Sequence, residues 1–93
     1  MEVKHTALNN RGKFHLEKDG EDIGEMTYVF INDKHIDINH TFIEEAFRGK
    51  DLGLKLVKAS VDFMKAHHLK AITTCPYVKK VFDETLEYQE FRA

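Results

Sequence analysis

The sequence predicts a mixed α/β fold in which an antiparallel sheet is followed by a long helix, a parallel strand and a shorter helix. Three observations carry this. Short stretches of alternating apolar residues, separated by Asp-Gly and Asn-Asp turn signals, fill the first half. A stretch beyond residue 52 has helical spacing, and one more strand-like run, Ala71-Ile72-Thr73-Thr74-Cys75, comes after it. At 93 residues, 42% of them hydrophobic, the chain is expected to form one domain, residues 1–93, around one economical core.

Phe14 and Leu16 alternate with charged neighbours up to Lys18-Asp19-Gly20-Glu21, which reads as a first strand closed by a hairpin turn. From Ile23 to Ile31, Met26, Tyr28 and Phe30 share one face while Thr27, Val29 and Ile31 share the other. Both faces are largely apolar, which predicts a central strand. Asn32-Asp33-Lys34 makes the next turn, after which Ile36, Ile38, His40 and Phe42 alternate with Asp37, Asn39, Thr41 and Ile43. Three strands in a meander are the simplest reading.

In the helix of about residues 52–67, lysine or aspartate at 55, 58, 62 and 65 draws one polar stripe. Leu52, Leu56, Ala59, Ser60, Phe63 and Met64 fill the opposite face, so this helix covers a sheet, and His67-His68-Leu69 ends it. Pro76 opens a second helix of about residues 76–83, with Tyr77, Val78, Val81 and Phe82 at helical spacing. The strand–helix–strand order implies a right-handed crossover and a parallel strand pair. The tail from Leu86 to Phe91 alternates in a strand-like way, suited to the sheet edge or to another chain.

The net charge of −2 comes from 14 basic and 16 acidic residues mixed along the chain, which disfavours a nucleic-acid partner. One cysteine gives no internal disulfide, and no apolar run approaches the roughly 20 residues that span a bilayer. The N-terminus lacks a signal-peptide apolar region. A soluble cytoplasmic protein, monomer or weak dimer, with no membrane partner is expected. His5, His15, His35, His67 and His68 fall at no ligand spacing, so no metal is expected.

Chemistry concentrates in three places. Phe47-Arg48-Gly49-Lys50-Asp51-Leu52-Gly53 joins the third predicted strand to the helix, where unpaired N–H groups and the helix dipole favour an anion. Neither Gly-x-x-x-x-Gly-Lys-Ser/Thr nor Gly-x-Gly-x-x-Gly is present, so ATP-type and dinucleotide readings fall. The plainer alternative is a loop whose glycines serve only the turn and helix packing. Cys75 falls at or next to the second helix's N-cap, where it is either an acidified thiol or a small buried apolar residue. His40 titrates near neutrality and lies on the third predicted strand, where it is either a base or a structural residue.

Taken together, His40-Thr41, Arg48-Gly49-Lys50 with Leu52-Gly53, and Cys75-Pro76-Tyr77-Val78 resemble the GNAT superfamily of acetyl-CoA-dependent N-acetyltransferases. The order and spacing of these segments cover most of the chain from Gly24 onward, and look like the small stand-alone branch of that superfamily. The resemblance implies a minimal GNAT-like fold: a mixed, mostly antiparallel sheet whose parallel strand pair is splayed for the cofactor. It implies that pantetheine pairs with backbone groups of Phe42, Ile43 and Glu44. The pyrophosphate of coenzyme A would sit on Arg48, Gly49, Lys50, Asp51, Leu52 and Gly53.

The implied activity is acetyl transfer from acetyl-CoA to a primary amine of unknown identity. Cys75 would be a transient acetyl acceptor or a wall of the site; Tyr77 would protonate the leaving thiolate or simply pack the short helix. His40, Glu44 or Glu45 would take the amine proton. A non-catalytic acyl-CoA-binding module and a protein-interaction domain are the alternatives. Asp51 stands where the family pattern has glycine, so its carboxylate either caps the helix or repels the pyrophosphate. Larger members shape the acceptor site with N-terminal helices. Here only Met1 to Arg11 precede the first predicted strand, so the acceptor pocket is expected to be shallow, shared or absent.

Overall fold

The computed structural model describes residues 1–93. Strands β1 (Glu2–Leu8), β2 (Arg11–Lys18), β3 (Glu21–Asn32), β4 (His35–Ile43) and β5 (Lys70–Thr73) form one sheet in that order. The first four are antiparallel, and β5 runs parallel to β4 from His35↔Lys70 to Ile38↔Thr73. Helix α1 (Gly53–His67) makes the crossover and α2 (Pro76–Glu84) follows β5. Both helices lie on one face of the sheet, α1 against β1 to β4 and α2 against α1, β4 and β5.

The core is built from alternate strand residues, as a one-sided sheet requires. Phe14, Leu16, Met26, Tyr28, Ile36 and Ile38 meet Leu56, Val57 and Met64 of α1 and Val78 and Phe82 of α2. Turn chemistry sets the register. Asp19 and Gly20 both take positive φ, 51° and 83°, the backbone of a two-residue hairpin turn. The Asn32 side chain accepts the Lys34 N–H at 2.9 Å and tightens the next turn. His68 adopts the left-handed conformation that closes α1, and the Leu69 N–H donates to the Met64 carbonyl at 2.9 Å.

Four features depart from the sequence reading. First, Met1 to Arg11 is not a lead-in: β1 pairs with β2 over its whole length. Second, β3 is central because it is third of five strands, not because both faces are covered; Ile31 on the open face is 52% exposed. Third, β4 carries a bulge. Thr27 faces His40 while Tyr28 faces Ile38, so Asn39 is an extra residue and the facing parity changes there. Ile36 and Ile38 point to the helices before the bulge, and Thr41 and Ile43 do so after it. Fourth, Leu86–Phe91 is a 3-10 turn rather than a strand, with Tyr88 packed on Phe82 at 5.4 Å between rings. The chain reaches the sheet just beyond it, where Arg92 bridges to Ala71 and the Ala93 N–H donates to the Ala71 carbonyl at 2.9 Å.

Candidate functional site

The site exists because β4 outruns β5. Pairing between them stops at Ile38, whose carbonyl accepts the Cys75 N–H at 3.0 Å before the chain turns away into α2. From Asn39 to Ile43 the edge of β4 that faces β5 has no strand beside it. On the other edge the Glu44 N–H donates to the Ile23 carbonyl at 2.8 Å. Hydrogen-bonded and non-bonded pairs alternate along an antiparallel ladder, so Phe42 also bonds toward β3. The N–H groups of Thr41 and Ile43 therefore point into the gap.

The loop from β4 to α1 supplies the second wall. A 3-10 turn at Glu45–Phe47 leads into Arg48, whose Nε donates to the Ile43 carbonyl at 2.8 Å while its guanidinium lies 5.5 Å from the Phe42 ring centre. Arg48 thus ties the loop back to the strand. Gly49 has φ +79° and Asp51 has φ +58°, and these two left-handed residues reverse the chain into the helix. The backbone N–H groups of Gly49, Lys50, Asp51, Leu52 and Gly53 have no acceptor within the protein. The first bonds of α1 come only at Leu54 and Lys55, which donate to Asp51 and Leu52 at 3.2 and 3.1 Å. Leu52 is the N-cap and no side chain caps the helix, so Asp51 does not fill the capping role considered for it.

Between these walls lies a cleft of about 430 Å³, lined among others by Thr41, Phe42, Ile43, Arg48, Asp51 and Gly53. Tyr77 closes one end. A Cβ on Gly53 would stand 2.6 Å from the Tyr77 hydroxyl oxygen, so glycine at the helix start is what lets the ring lie there. Burial raises the Tyr77 pKa above the ordinary tyrosine value, and the Asp51 carboxylate and Cys75 push in the same direction. The hydroxyl therefore keeps its proton throughout the neutral range.

The expected site residues divide by position. Phe42, Ile43, Arg48, Gly49, Asp51, Leu52, Gly53 and Tyr77 line the cleft. Lys50 belongs to the same loop, its ammonium 5.8 Å from the Phe47 ring centre. Glu44 follows β4 with its N–H already taken by Ile23. Cys75 is the N-cap of α2, 6% exposed, with its Sγ donating to Thr41 Oγ1 at 3.6 Å; it sits behind the cleft surface. His40 is not brought to the cleft. The bulge turns it to the open face, where its Nε2 is 3.6 Å from Glu25 Oε2 and the side chain is 53% exposed. Phe47, the first residue of the turn expected to favour an anion, lines the cleft too; Thr41 does so without having been singled out for it, its signal being its place beside His40 in a matched segment.

A family model described as GCN5-related N-acetyl-transferase matches residues 13–91. The curated relatives named Protein NATD1 from Danio rerio and Xenopus tropicalis are 33% and 35% identical to this chain. Each alignment covers 85 residues, 90% of this chain and 76% of the relative. The solution structure of a GCN5-like protein from Staphylococcus aureus matches with a TM-score of 0.76 at 29% identity, over 99% of this chain and 87% of that one. A GNAT family acetyltransferase from Elizabethkingia anophelis, solved with acetyl-CoA bound, shares the fold with a TM-score of 0.67 at 14% identity. That match covers 81% of this chain and 52% of the other. The five-stranded sheet with its parallel β4–β5 pair and crossover helix is the fold of these proteins, and the chain belongs to the GCN5-related N-acetyltransferase family.

Proposed function

We propose that the cleft beside β4 holds acetyl-CoA and that the protein transfers the acetyl group to a primary amine. The observation that carries this is the pairing, in one cleft, of five unpartnered amides at residues 49–53 with an unpartnered strand edge. The amides and Lys50 suit a pyrophosphate. The Thr41 and Ile43 N–H groups suit an extended chain of amides, recognised as an added strand would be. Bound there, acetyl-CoA supplies an activated thioester.

Catalysis then rests on positioning and on preorganised donors. The Tyr77 hydroxyl, which lines the cleft and keeps its proton, would be the donor to a departing thiolate. Cys75, buried and donating to Thr41, backs the cleft lining at that residue. The same observation supports binding more directly than transfer, which leaves a non-catalytic acyl-CoA-binding module as the second reading.

Thermal denaturation with acetyl-CoA, CoA and ATP tests the first half. Ligand at a hundred times its Kd stabilises by about 2.7 kcal/mol, a rise in Tm of roughly 10–20 °C for a chain of this size. Equal shifts with ATP, or none with acetyl-CoA, would remove the reading. Release of free CoA on adding small amines tests the second half, and binding without release would leave the binding module.

A further inference from the structure

Lys18 is a cation at a position where the strand pattern asks for an apolar residue. Alternation along β2 sets it on the same face as Phe14 and Leu16, which are buried under the helices, yet Lys18 itself is exposed. The cause is where the strands end. The last β2–β3 pair is Lys18↔Glu21, whereas β4 joins β3 only from Gly24↔Ile43 onward. The β2–β3 hairpin therefore stands beyond the end of β4, beside the loop that leads to α1. There the Lys18 ammonium lies 5.3 Å from the ring centre of Phe47, and the Lys50 ammonium lies 5.8 Å from the same centre. Phe47 lines the cleft; the two lysines do not line it but stand at its rim, on that residue. Lys4, Lys13, Lys58 and Lys79 have carboxylate partners, whereas Lys18 and Lys50 have none. Two ammonium groups drawn to one ring repel each other, and an anion beside them removes that cost.

We propose that Lys18 is a coenzyme-recognition residue: it holds the phosphomonoester on the ribose of coenzyme A, and so makes the protein distinguish CoA from dephospho-CoA, which lacks that group. The assignment rests on the acetyl-CoA reading of the cleft. Its geometry follows from the direction in which the cleft runs. Tyr77 closes one end, and Cys75 backs the lining at Thr41. From there an extended ligand follows β4 past Ile43 to Phe47, beyond the end of the strand. With the pyrophosphate on the loop amides and Lys50, the nucleotide leaves the cleft at Phe47. The ribose phosphate is the remaining charge it carries, close to a dianion at neutral pH. Lys18 is the cation that meets it there from outside the loop. Arg48 is committed elsewhere, its Nε to the Ile43 carbonyl and its guanidinium to the Phe42 ring. A lysine suits an exposed phosphate, because a point charge on a flexible stem needs no fixed fork geometry.

Calorimetry with CoA and dephospho-CoA, at low and at physiological salt, tests this on the wild type, Lys18→Gln and Lys50→Gln. The wild type should bind CoA about fivefold more tightly than dephospho-CoA at low salt, the upper scale of an exposed ion pair, and the ratio should shrink as salt rises. Lys18→Gln, an exposed substitution, should bring the ratio close to one by weakening CoA alone. Lys50→Gln should weaken both ligands, since both carry the pyrophosphate, and leave the ratio in place. Equal wild-type affinity for the two ligands would overturn the assignment, as would a Lys18→Gln protein that keeps the ratio or loses affinity for both ligands equally. Loss of the ratio in Lys50→Gln instead would move the phosphate to Lys50 and overturn it too. Binding of neither ligand to the wild type would remove the cleft reading itself, whereas binding of both without discrimination would remove Lys18 alone, so the two failures are distinguishable.

Discussion

Removing the Asp51 charge should tighten coenzyme binding. Asp51 lines the cleft beside five unpartnered amides, and its carboxylate has neither a hydrogen-bond nor an ion-pair partner. A pyrophosphate seated on those amides would place two negative charges roughly 7 Å from it. In a water-like dielectric the repulsion is about 1.2 kcal/mol, reduced by physiological salt to about 0.5–1 kcal/mol. Asp51→Asn removes the charge and keeps the size, so the Kd for CoA should fall about two- to fivefold. Asp51→Gly adds a backbone effect. Glycine relieves the side-chain strain of φ +58° but loses more chain entropy on folding, so stability should move by less than about 1 kcal/mol. Calorimetry at low and high salt is the assay, because a Coulombic gain must shrink as salt rises. Asp51 also helps to hold the Tyr77 pKa up, so Asp51→Asn should lower the Tyr77 titration as followed by ultraviolet absorbance. Unchanged or weaker CoA affinity in Asp51→Asn at low salt would refute the reasoning: the carboxylate would then not face the anion.

Three further outcomes are expected. In Gly53→Ala the new methyl would stand 2.6 Å from the Tyr77 hydroxyl oxygen, and the ring, 39% exposed, can swing out. The helix gains about 0.5–1 kcal/mol of propensity, so stability should hold while kcat/KM falls about 10- to 100-fold; equal activity would mean that Tyr77 placement is irrelevant. Cys75→Ala should keep transfer within a few-fold at a cost of about 1 kcal/mol in stability, and mass spectrometry of wild type with acetyl-CoA should find no acetylated cysteine; an acetyl adduct on Cys75 would restore the nucleophile role. His5 has its pKa lowered by burial first and by His67 second, so the folded state favours the neutral ring. Its contribution to stability is present above about pH 6.5 and is lost as pH falls through the lower folded value. Urea midpoints at pH 7 and pH 5 should therefore differ more in wild type than in His5→Gln, and equal differences would rule this group out.

The meander, the crossover helix and the parallel strand were legible because period-2 and period-3.6 patterns were bounded by Asp-Gly, Asn-Asp and Pro signals. What was hidden had particular reasons. In β1 the middle core-facing residue is His5, whose ring stacks on Phe14 at 4.2 Å and whose Nε2 meets the Tyr28 hydroxyl at 2.7 Å. It stays exposed, and only partners on other strands tie its ring to the edge of the core. In the tail, Tyr88 and Phe91 are three apart and pack inward while Leu86 stays 84% exposed. Over six residues a three-residue period cannot be told from a two-residue one. Strict alternation from Ile36 put His40 on the same face as Ile38, and the extra residue Asn39 sent it to the other side.

That bulge also explains why the candidate site was only half readable. It brings Thr41 round to meet Cys75 and Ile43 round to the helix face. The cleft it helps to form recognises through main-chain groups: five amides at a helix start and two on a strand edge. Main-chain recognition constrains backbone shape far more than side-chain identity, so it leaves a sequence trace only where the shape demands a special residue. Gly49, with its positive φ, and Gly53, beneath the Tyr77 ring, are such places, and both were visible in the sequence. Asp51 holds a left-handed backbone that glycine would hold with less strain. Its charge is therefore the one element of the loop that the backbone does not explain, and the salt dependence of the Asp51→Asn affinity reads it directly.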